Sequence, residues 1–329
     1  MIFEFGVEPH VVATWHDRRA YRFYDGKFGL GTKRTLCRYP AKKWRRLVFD
    51  AFNRLADELD KPAKQAAKKR LEALLLHLES GSSKRNLNWS GSKTWIECAL
   101  AEHRRRPFHG LVVSAAADNP SPPVYQADRI EEADSNWNPV PDAVPRSLDG
   151  LVAAVTPVLS HVRRIALVDP YFDPAKNQWA APLQRMLETA QARRAPDESL
   201  VFEVHTSVDR LFGRDRPQKE VEEVKEAEAL AAAVRETARR PLGPQATLVV
   251  RVWSDKVSYR GDEELHNRYL LTECGGVMFG KGFDASRRGK DTPTLLSRPQ
   301  WESQRRLYSS GPGEFRLLAE LTETGKADT

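Results

Sequence analysis

Short apolar runs alternate with amphipathic stretches between residues 147 and 283, and this alternation restricts the fold more than any other feature of the chain. Buried strands are indicated by RIALVDPYF, LVFEVHTSV and TLVVRVWSD, and covering helices by SLDGLVAAVTPVLSHV, WAAPLQRMLETAQARR and KEVEEVKEAEALAAAVRETARR. Two more strands are indicated by LHNRYLLTE and GGVMFGKGF. The order predicts an α/β fold, in which a mixed sheet is covered by helices.

The first third of the chain has a different pattern. Residues 41–80 place apolar side chains at helical spacing on both sides of Pro62, which predicts two helices interrupted near the proline. The segments NLNWSGSKTWIECALAEH and FHGLVVSAA are typical of a strand or a short helix between loops. We therefore expect a separate, mostly helical α+β domain over residues 1–117.

A proline-rich segment separates the two patterns. It carries six prolines in DNPSPPVYQADRIEEADSNWNPVPDAVP. Proline lacks an amide donor and restricts φ, so such a segment neither extends a helix nor forms a central strand. This predicts a linker over residues 118–146, followed by a C-terminal domain over 147–329. The alternative is an ordered proline-rich edge, since the segment also contains a tryptophan and a tyrosine.

Positive charge is concentrated near the N-terminus. Residues 1–110 contain 23 Lys and Arg against 12 Asp and Glu, whereas the rest of the chain contains 29 against 33. A basic surface attracts polyanions such as nucleic acid or acidic lipid headgroups. The segment FGLGTKRTLCRYPAKKWRR adds Tyr39 and Trp44, which we expect to stack on bases. The predicted nucleic-acid stripe consists of Lys33, Arg34, Arg38, Lys42, Lys43, Arg45 and Arg46. A solvated surface without a partner is the alternative.

The remaining composition favours a cytoplasmic protein without a cofactor. The start MIFEFGVEPH lacks the pattern of a signal peptide, and no apolar stretch approaches the roughly 20 residues of a membrane span. Cys37, Cys98 and Cys274 form no CxxC pair and have no histidines at ligand spacing. We expect reduced cysteines, no structural zinc and no metal at the functional site.

The stretch LHNRYLLTECGGVMFGKGFDA contains the strongest motif. Its residues follow H-x-R-x4-E-x6-G, with His266, Arg268, Glu273 and Gly280 at the specified positions. This resembles the HxKx4Dx6GSxN signature of the phospholipase D superfamily. The segment RIALVDPYFDP, with Asp169 and Tyr171, is similar to the strand and turn that open a repeat of that family. The resemblance covers about residues 147–290 and implies a phospholipase D-like fold.

The resemblance also implies a chemistry. In the superfamily one histidine attacks a phosphodiester and forms a phosphohistidine, the histidine of a second copy protonates the leaving oxygen, and no metal is required. Here Arg268, Glu273, Lys281 and Phe283 replace the lysine, aspartate, serine and asparagine of the signature. Because the chain has one copy, catalysis by His266, Arg268 and Glu273 requires a homodimer that pairs two His266 side chains.

His205 offers a route to catalysis within one chain. It ends the strand pattern of LVFEVHTSV, and in the sheet order of the superfamily its imidazole would approach His266 and act as the acid. The alternative is a buried structural histidine that donates to a backbone carbonyl.

A second resemblance favours binding over hydrolysis. The elements HNR and GKGFD are similar to the HDR motif and GRGLD turn in the phospholipase D-like domain of a eukaryotic MIT-domain protein that binds acidic membranes. The likeness assigns phosphate contact to His266, Arg268 and Lys281, with the backbone amides around Gly280 and Gly282 open to an anion. Asp169 and Tyr171 belong to the same expected phosphate-binding strand end.

Three hypotheses for the whole protein follow. The first is a phosphate-recognising protein with a basic nucleic-acid-binding domain, working with other protein subunits; by analogy, such modules belong to prokaryotic antiviral defence or mobile-element systems. The second is a metal-independent nuclease or phosphodiesterase that acts as a dimer. The third is an adaptor that binds acidic membranes.

Overall fold

The computed structural model divides into two compact units, residues 2–140 and residues 141–329 together with Met1. It describes residues 1–114, 123–130, 137–138, 143–192, 194–195, 197–208, 220–254, 265–286, 288–308 and 315–326. The division between the units falls inside the proline-rich segment, and each unit has its own sheet.

The N-terminal unit is built on a five-stranded parallel sheet of order β3-β2-β1-β4-β5. Its strands are β1 (Phe3–Val7), β2 (Arg34–Arg38), β3 (Ser83–Lys84), β4 (Gly110–Val113) and β5 (Val124–Gln126). Its helices are α1 (Pro9–Thr14), α2 (Arg18–Asp25), α3 (Trp44–Leu55), α4 (Lys61–Glu79) and α5 (Trp95–Arg105).

The parallel sheet differs from the α+β arrangement expected for this region, although the described helices still supply most of its regular structure. The strands FEFGV and RTLCR are short and almost entirely buried, so they lack the alternation that marks a half-exposed strand. The two helices expected around Pro62 are present as α3 and α4. Pro62 lies in the first turn of α4, where its missing amide hydrogen costs no helical hydrogen bond, and the Asp60 side chain accepts from the Ala63 amide there.

A buried ion network crosses the N-terminal sheet. Arg85 is 1% exposed, pairs with Glu4, and lies 3.6 Å from Oε1 of Glu102. Its guanidinium lies 3.8 Å from the ring centroid of Phe108, and Ser83 donates to Glu4. Paired in this way, the buried charges avoid the large cost of an isolated ion in the interior.

The described part of the predicted linker contributes one strand to the N-terminal sheet and one to a small two-stranded sheet of the C-terminal unit. β5 pairs with β4, and the side chain of Trp137 is fully buried against Phe5 and Phe28. β6 (Val144–Pro145) pairs with a strand of the C-terminal unit. These residues correspond to the alternative of an ordered proline-rich edge. Residues 118–122, 131–136 and 139–142 of the segment lie outside the described part of the chain.

The C-terminal unit is built on a seven-stranded mixed sheet of order β13-β11-β10-β7-β8-β9-β14. The strands of the unit are β7 (Arg164–Val168), β8 (Leu200–Ser207), β9 (Ala246–Ser254), β10 (Arg268–Thr272), β11 (Gly275–Phe279), β12 (Lys290–Asp291), β13 (Thr294–Leu295) and β14 (Arg316–Thr324), and β12 pairs with β6 outside the large sheet. Its described helices are α6 (Leu148–Leu159), α7 (Asn177–Gln191), α8 (Glu220–Arg239) and α9 (Arg298–Leu307).

The direction of the strands positions the candidate site. β7, β8 and β9 run parallel, whereas β10 is antiparallel to β7 and forms a hairpin with β11. The carboxyl end of β7 and the start of β10 therefore meet at one edge of the sheet. Among the described helices, none combines the length and apolar composition that crossing a bilayer requires.

Candidate functional site

The site lies where β7 ends and β10 begins. Tyr269 pairs with Val168, so the residues next to them, Arg268 and Asp169, are neighbours across the two strands. Nε of Arg268 is 4.0 Å from Oδ1 of Asp169. The turn after β7 carries Tyr171, and His266 immediately precedes β10. The strand order thus brings Asp169 and Tyr171 close to His266 and Arg268, which come nearly 100 positions later in the sequence.

His266 and Arg268 converge on the side chain of Tyr171. Nδ1 of His266 lies 2.6 Å from the Tyr171 hydroxyl, and the Arg268 guanidinium carbon lies 4.3 Å from the centroid of the same ring. The imidazole is exposed, whereas the Arg268 side chain is 17% exposed. A guanidinium stacked on an aromatic ring loses little freedom when it binds an anion, because the ring already holds its plane.

Asp169 is a buried carboxylate behind this pair. It is 2% exposed and accepts hydrogen bonds from the Tyr171 amide at 3.0 Å and from the Phe283 amide at 3.2 Å. Burial raises the pKa of Asp169 to about 6, although both amides and Arg268 act in the opposite direction. The carboxylate connects the turn after β7, β10 and the glycine-containing turn after β11.

The turn after β11 differs in one respect from the expectation. Gly282 has φ +85°, and a Cβ there would lie 3.0 Å from Oδ2 of Asp169, so glycine suits both the backbone and the space. The Lys281 amide, however, donates to Oδ2 of Asp291 at 2.9 Å, and the Phe283 amide donates to Asp169. The amides of Lys281 and Phe283, beside the two glycines, are therefore already used by carboxylates.

The side chain of Lys281, in the turn after β11, is exposed. Its carbonyl is held by Arg146, whose Nη2 donates to it at 3.1 Å and also pairs with the Asp284 carboxylate. Arg146 stands just before α6, in the proline-rich segment, and its sequence context carries no signal of this role. It braces the turn that presents Lys281.

Glu273 is not brought to His266. It lies in the β10–β11 turn, at the opposite end of β10, which at about 3.3 Å per residue places it roughly 16 Å along the strand from Arg268. Its carboxylate accepts from the backbone amides of Arg163 at 2.5 Å and Arg164 at 3.0 Å. Glu273 therefore anchors the start of β7, far from His266 and Tyr171.

His205 lies on the opposite face of the sheet from Arg268. Its ring centroid is 5.4 Å from that of Tyr308, which lies 6.4 Å from Tyr269, and successive side chains of a strand point to opposite faces. His205 is 1% exposed, and burial lowers its pKa. The within-chain acid expected from this histidine is therefore not placed beside His266.

Some residues of the predicted nucleic-acid stripe are buried, and others are exposed. Arg34 is 5% exposed, donates to the carbonyl of Trp137 at 3.2 Å and stacks on its ring at 4.3 Å. Tyr39 and Trp44 are at most 1% exposed and belong to the core, so neither is able to stack on a base. Burial therefore removes Arg34, Tyr39 and Trp44 from the predicted stripe.

An exposed basic segment remains. Lys42, Lys43, Arg45 and Arg46 are exposed around the start of α3, while Lys33 and Arg38 are partly buried. Acidic neighbours partly neutralise it: Glu79 lies 3.8 Å from Arg38 and 3.6 Å from Arg45, and Asp50 lies 3.6 Å from Arg46. The two lysines carry the least compensated charge of the group.

Among the described residues, no group of three or more His, Cys, Asp or Glu side chains is placed to hold a metal ion. Cys37, Cys98 and Cys274 are all buried, and none of these three described cysteines forms a disulfide. A comparison of the chain with protein-family models and with curated proteins finds no match. The properties of the site therefore have to be derived from its own residues.

Proposed function

We propose that the C-terminal unit is a phospholipase D-like module that binds phosphate groups through Arg268, His266 and Lys281. The basic segment Lys42–Arg46 of the N-terminal unit supplies contacts to a nucleic-acid backbone. The protein in this proposal recognises nucleic acid and does not cut it.

The convergence of His266 and Arg268 on Tyr171 is the observation that carries the proposal. An imidazole and a guanidinium held against one phenol at 2.6 Å and 4.3 Å give an anion two donors of fixed geometry. Within the described chain, Nε of Arg268 makes no hydrogen bond, and Asp169 Oδ1 lies at 4.0 Å from it, too far for one. A bound phosphate would provide the missing acceptor and form the charge-assisted bonds typical of arginine.

Binding is favoured over hydrolysis because the site holds one imidazole. Formation and breakdown of a phosphohistidine require a nucleophile and a separate acid for the leaving oxygen. His205 faces the other side of the sheet, and Glu273 lies at the far end of β10. Within the described part of one chain, neither the acid expected from His205 nor the catalytic candidate Glu273 reaches His266.

The experiment compares Arg268→Gln with Arg185→Gln, an exposed arginine of α7 that pairs only locally with Glu188. Gel shifts with single- and double-stranded oligonucleotides, and flotation of vesicles with and without acidic lipid, are measured at one salt concentration. We expect Arg268→Gln to weaken oligonucleotide binding about tenfold, the value of one charge-assisted hydrogen bond, and Arg185→Gln to leave it unchanged. Equal affinities of the two variants would disprove the proposed phosphate contact, and binding to acidic vesicles alone would assign the site to lipid.

A second function is favoured by the hydrogen bond of His266. When Nδ1 donates to the Tyr171 hydroxyl, Nε2 of the exposed imidazole carries the lone pair that an attack on phosphorus requires. Two chains that place their His266 side chains together would then supply the nucleophile and the acid of a phosphodiesterase.

Cleavage assays test this alternative. Purified wild type is incubated with labelled oligonucleotide in EDTA, beside His266→Ala and the control Arg185→Gln. Cleavage by wild type and control that is lost in His266→Ala, with a dependence on protein concentration typical of a dimer, would establish the hydrolase. Intact substrate with the wild type leaves binding as the function of the site.

A further inference from the structure

A separate pocket lies over the face of the C-terminal sheet opposite Arg268. Its volume is about 200 Å³, below the range of roughly 300–1,000 Å³ that is typical of drug-sized ligands. The residues that define its chemistry are Arg164, Glu203, His205, Arg251, Arg305 and Tyr308. The pocket thus has the size of a small polar group and is lined by three guanidinium groups.

The register of the sheet builds the pocket. His205 of β8 pairs with Arg251 of β9, and Glu203 is two residues earlier on the same face of β8. Arg164 begins β7 beside them, and α9 contributes Arg305 at the rim, with Tyr308 just after the helix ends. Residues from four elements meet here, and no local sequence motif unites them.

Glu203 pairs with Arg164 and Arg251, but the positive charges around the pocket still outnumber the negative ones. Its Oε1 accepts from Nε of Arg164 at 2.5 Å, and its Oε2 pairs with Nη1 of Arg251. Although burial acts in the opposite direction, contacts with His205 and Arg164 lower the pKa of Glu203 to about 2, so the carboxylate is ionised near neutral pH. Glu320 accepts from Nε of Arg251 at 2.5 Å, so three guanidiniums face two carboxylates.

Hydrogen-bond donors remain unused around the pocket. Within the described residues, both Nη atoms of Arg164 and Nη2 of Arg251 make no hydrogen bond. Arg305 is exposed, and its described interaction is a stack on Trp301 at 5.0 Å. These donors belong to groups that Glu203, Glu320 and Trp301 already orient, which lowers the entropy lost on binding.

His205 adds a buried donor to the wall. Trp253 Nε1 lies 3.2 Å from its Nδ1, and an indole nitrogen only donates, so Nδ1 accepts and Nε2 carries the hydrogen of the neutral ring. Oε2 of Glu203 lies 3.5 Å from Nε2, close enough to affect the pKa of Glu203 but too far for a hydrogen bond of normal length in the described chain. A buried donor that is so weakly satisfied is costly, so at a cationic pocket it favours an anionic ligand.

We propose that this pocket binds a phosphomonoester dianion, as the free ion or as the terminal phosphate of a small molecule or a nucleic-acid end. A carboxylate is satisfied by one bidentate arginine, whereas the three terminal oxygens of a phosphomonoester match donors from several guanidiniums at once. The site is independent of the proposed phosphodiester contact at Arg268, because it opens on the other face of the sheet.

Arg305→Gln is the test variant, because this exposed arginine can be replaced without disturbing the core. Arg306→Gln, its exposed neighbour on α9 that does not line the pocket, is the matched control, and Arg268→Gln reports on the other site. The full-length protein is titrated calorimetrically with inorganic phosphate, glycerol phosphate, a nucleoside 5′-monophosphate and a 5′-phosphorylated oligonucleotide. Acetate at equal ionic strength controls for a general response to anions.

We expect saturable binding of inorganic phosphate, glycerol phosphate or the nucleoside monophosphate, weakened about tenfold by Arg305→Gln and less than about twofold by Arg306→Gln and Arg268→Gln. The oligonucleotide also contacts the Arg268 site, so Arg268→Gln as well as Arg305→Gln should weaken its binding. The probe bound most tightly identifies the source of the phosphate. The proposal is overturned if no phosphate compound binds the wild type in a saturable manner, if acetate binds equally well, or if Arg305→Gln binds like the control.

Discussion

We expect the buried carboxylate of Asp169 to make the free energy of unfolding depend on pH. Its pKa is raised by burial from an ordinary value of 3.8 to about 6. Because the folded protein holds this proton more tightly than the unfolded chain, the ionised carboxylate costs stability. The contribution is most favourable below the unfolded pKa, declines as the pH rises through the folded pKa, and is constant above it.

The magnitude follows from the shift. A change of about two pKa units corresponds to about 3 kcal/mol once the group is fully ionised in both states. About half of this loss of stability is already present at about pH 5. Raising the pH from about 5 to about 8 should therefore lower the free energy of unfolding by a further amount of about 1 to 1.5 kcal/mol. Asp169→Asn removes the charge and therefore this dependence, and it also loses an amide acceptor at a pH-independent cost of about 1 kcal/mol.

The measurement is urea unfolding of the full-length protein at constant ionic strength across this pH range. Wild type, Asp169→Asn and the control Glu222→Gln, an exposed carboxylate of α8, are compared. The free energy of unfolding of wild type should fall relative to Asp169→Asn as the pH rises, whereas the control should follow wild type. A difference that stays constant, or one that changes in the opposite direction, would refute the assignment of a high pKa to Asp169.

Other substitutions test separate parts of the structure. Gly282→Ala places a side chain on a residue with φ +85°, and its Cβ would lie 3.0 Å from Oδ2 of Asp169. The substitution should lower the free energy of unfolding by about 1–2 kcal/mol in urea titrations, and an unchanged midpoint would contradict this backbone geometry. Replacing Lys42 and Lys43 together by Glu should weaken oligonucleotide binding and reduce the slope of log affinity against log salt, and an unchanged slope would remove this segment from the interface. Arg85→Met leaves Glu4 buried without its cation and leaves Glu102 with Arg105 alone, so it should cost about 3 kcal/mol or more in thermal or urea unfolding; a loss below about 1 kcal/mol would count against the network.

Several elements follow from local pattern alone. The β7, β8 and β9 strands are apolar runs of limited length, and α7 and α8 repeat their apolar positions with helical period. The break between α3 and α4 follows from Pro62. These features depend on residues that are close in sequence, so they are accessible without knowledge of the packing.

The N-terminal parallel sheet is the main part of the fold that the spacing of apolar residues did not predict. Its strands are short and buried on both faces, and an apolar run of this kind has no period that distinguishes strand from helix. Burial also separated Tyr39 and Trp44 from the exposed lysines between them, although all of them stand in one basic, aromatic segment. Which side of an element faces the core is decided by contacts with distant strands.

By itself the sequence determined the alternation that makes the C-terminal unit an α/β structure, and it placed His266, Arg268, Asp169 and Tyr171 at strand ends. Only the tertiary structure decided which of these side chains meet, because the antiparallel pairing of β10 with β7 brings Arg268 to Asp169 and sends Glu273 to the far end. The same pairing, with the alternation of side chains along each strand, put His205 on the opposite face among Glu203, Arg251 and Arg305. Strand register and direction are long-range properties, and a spacing motif does not encode them.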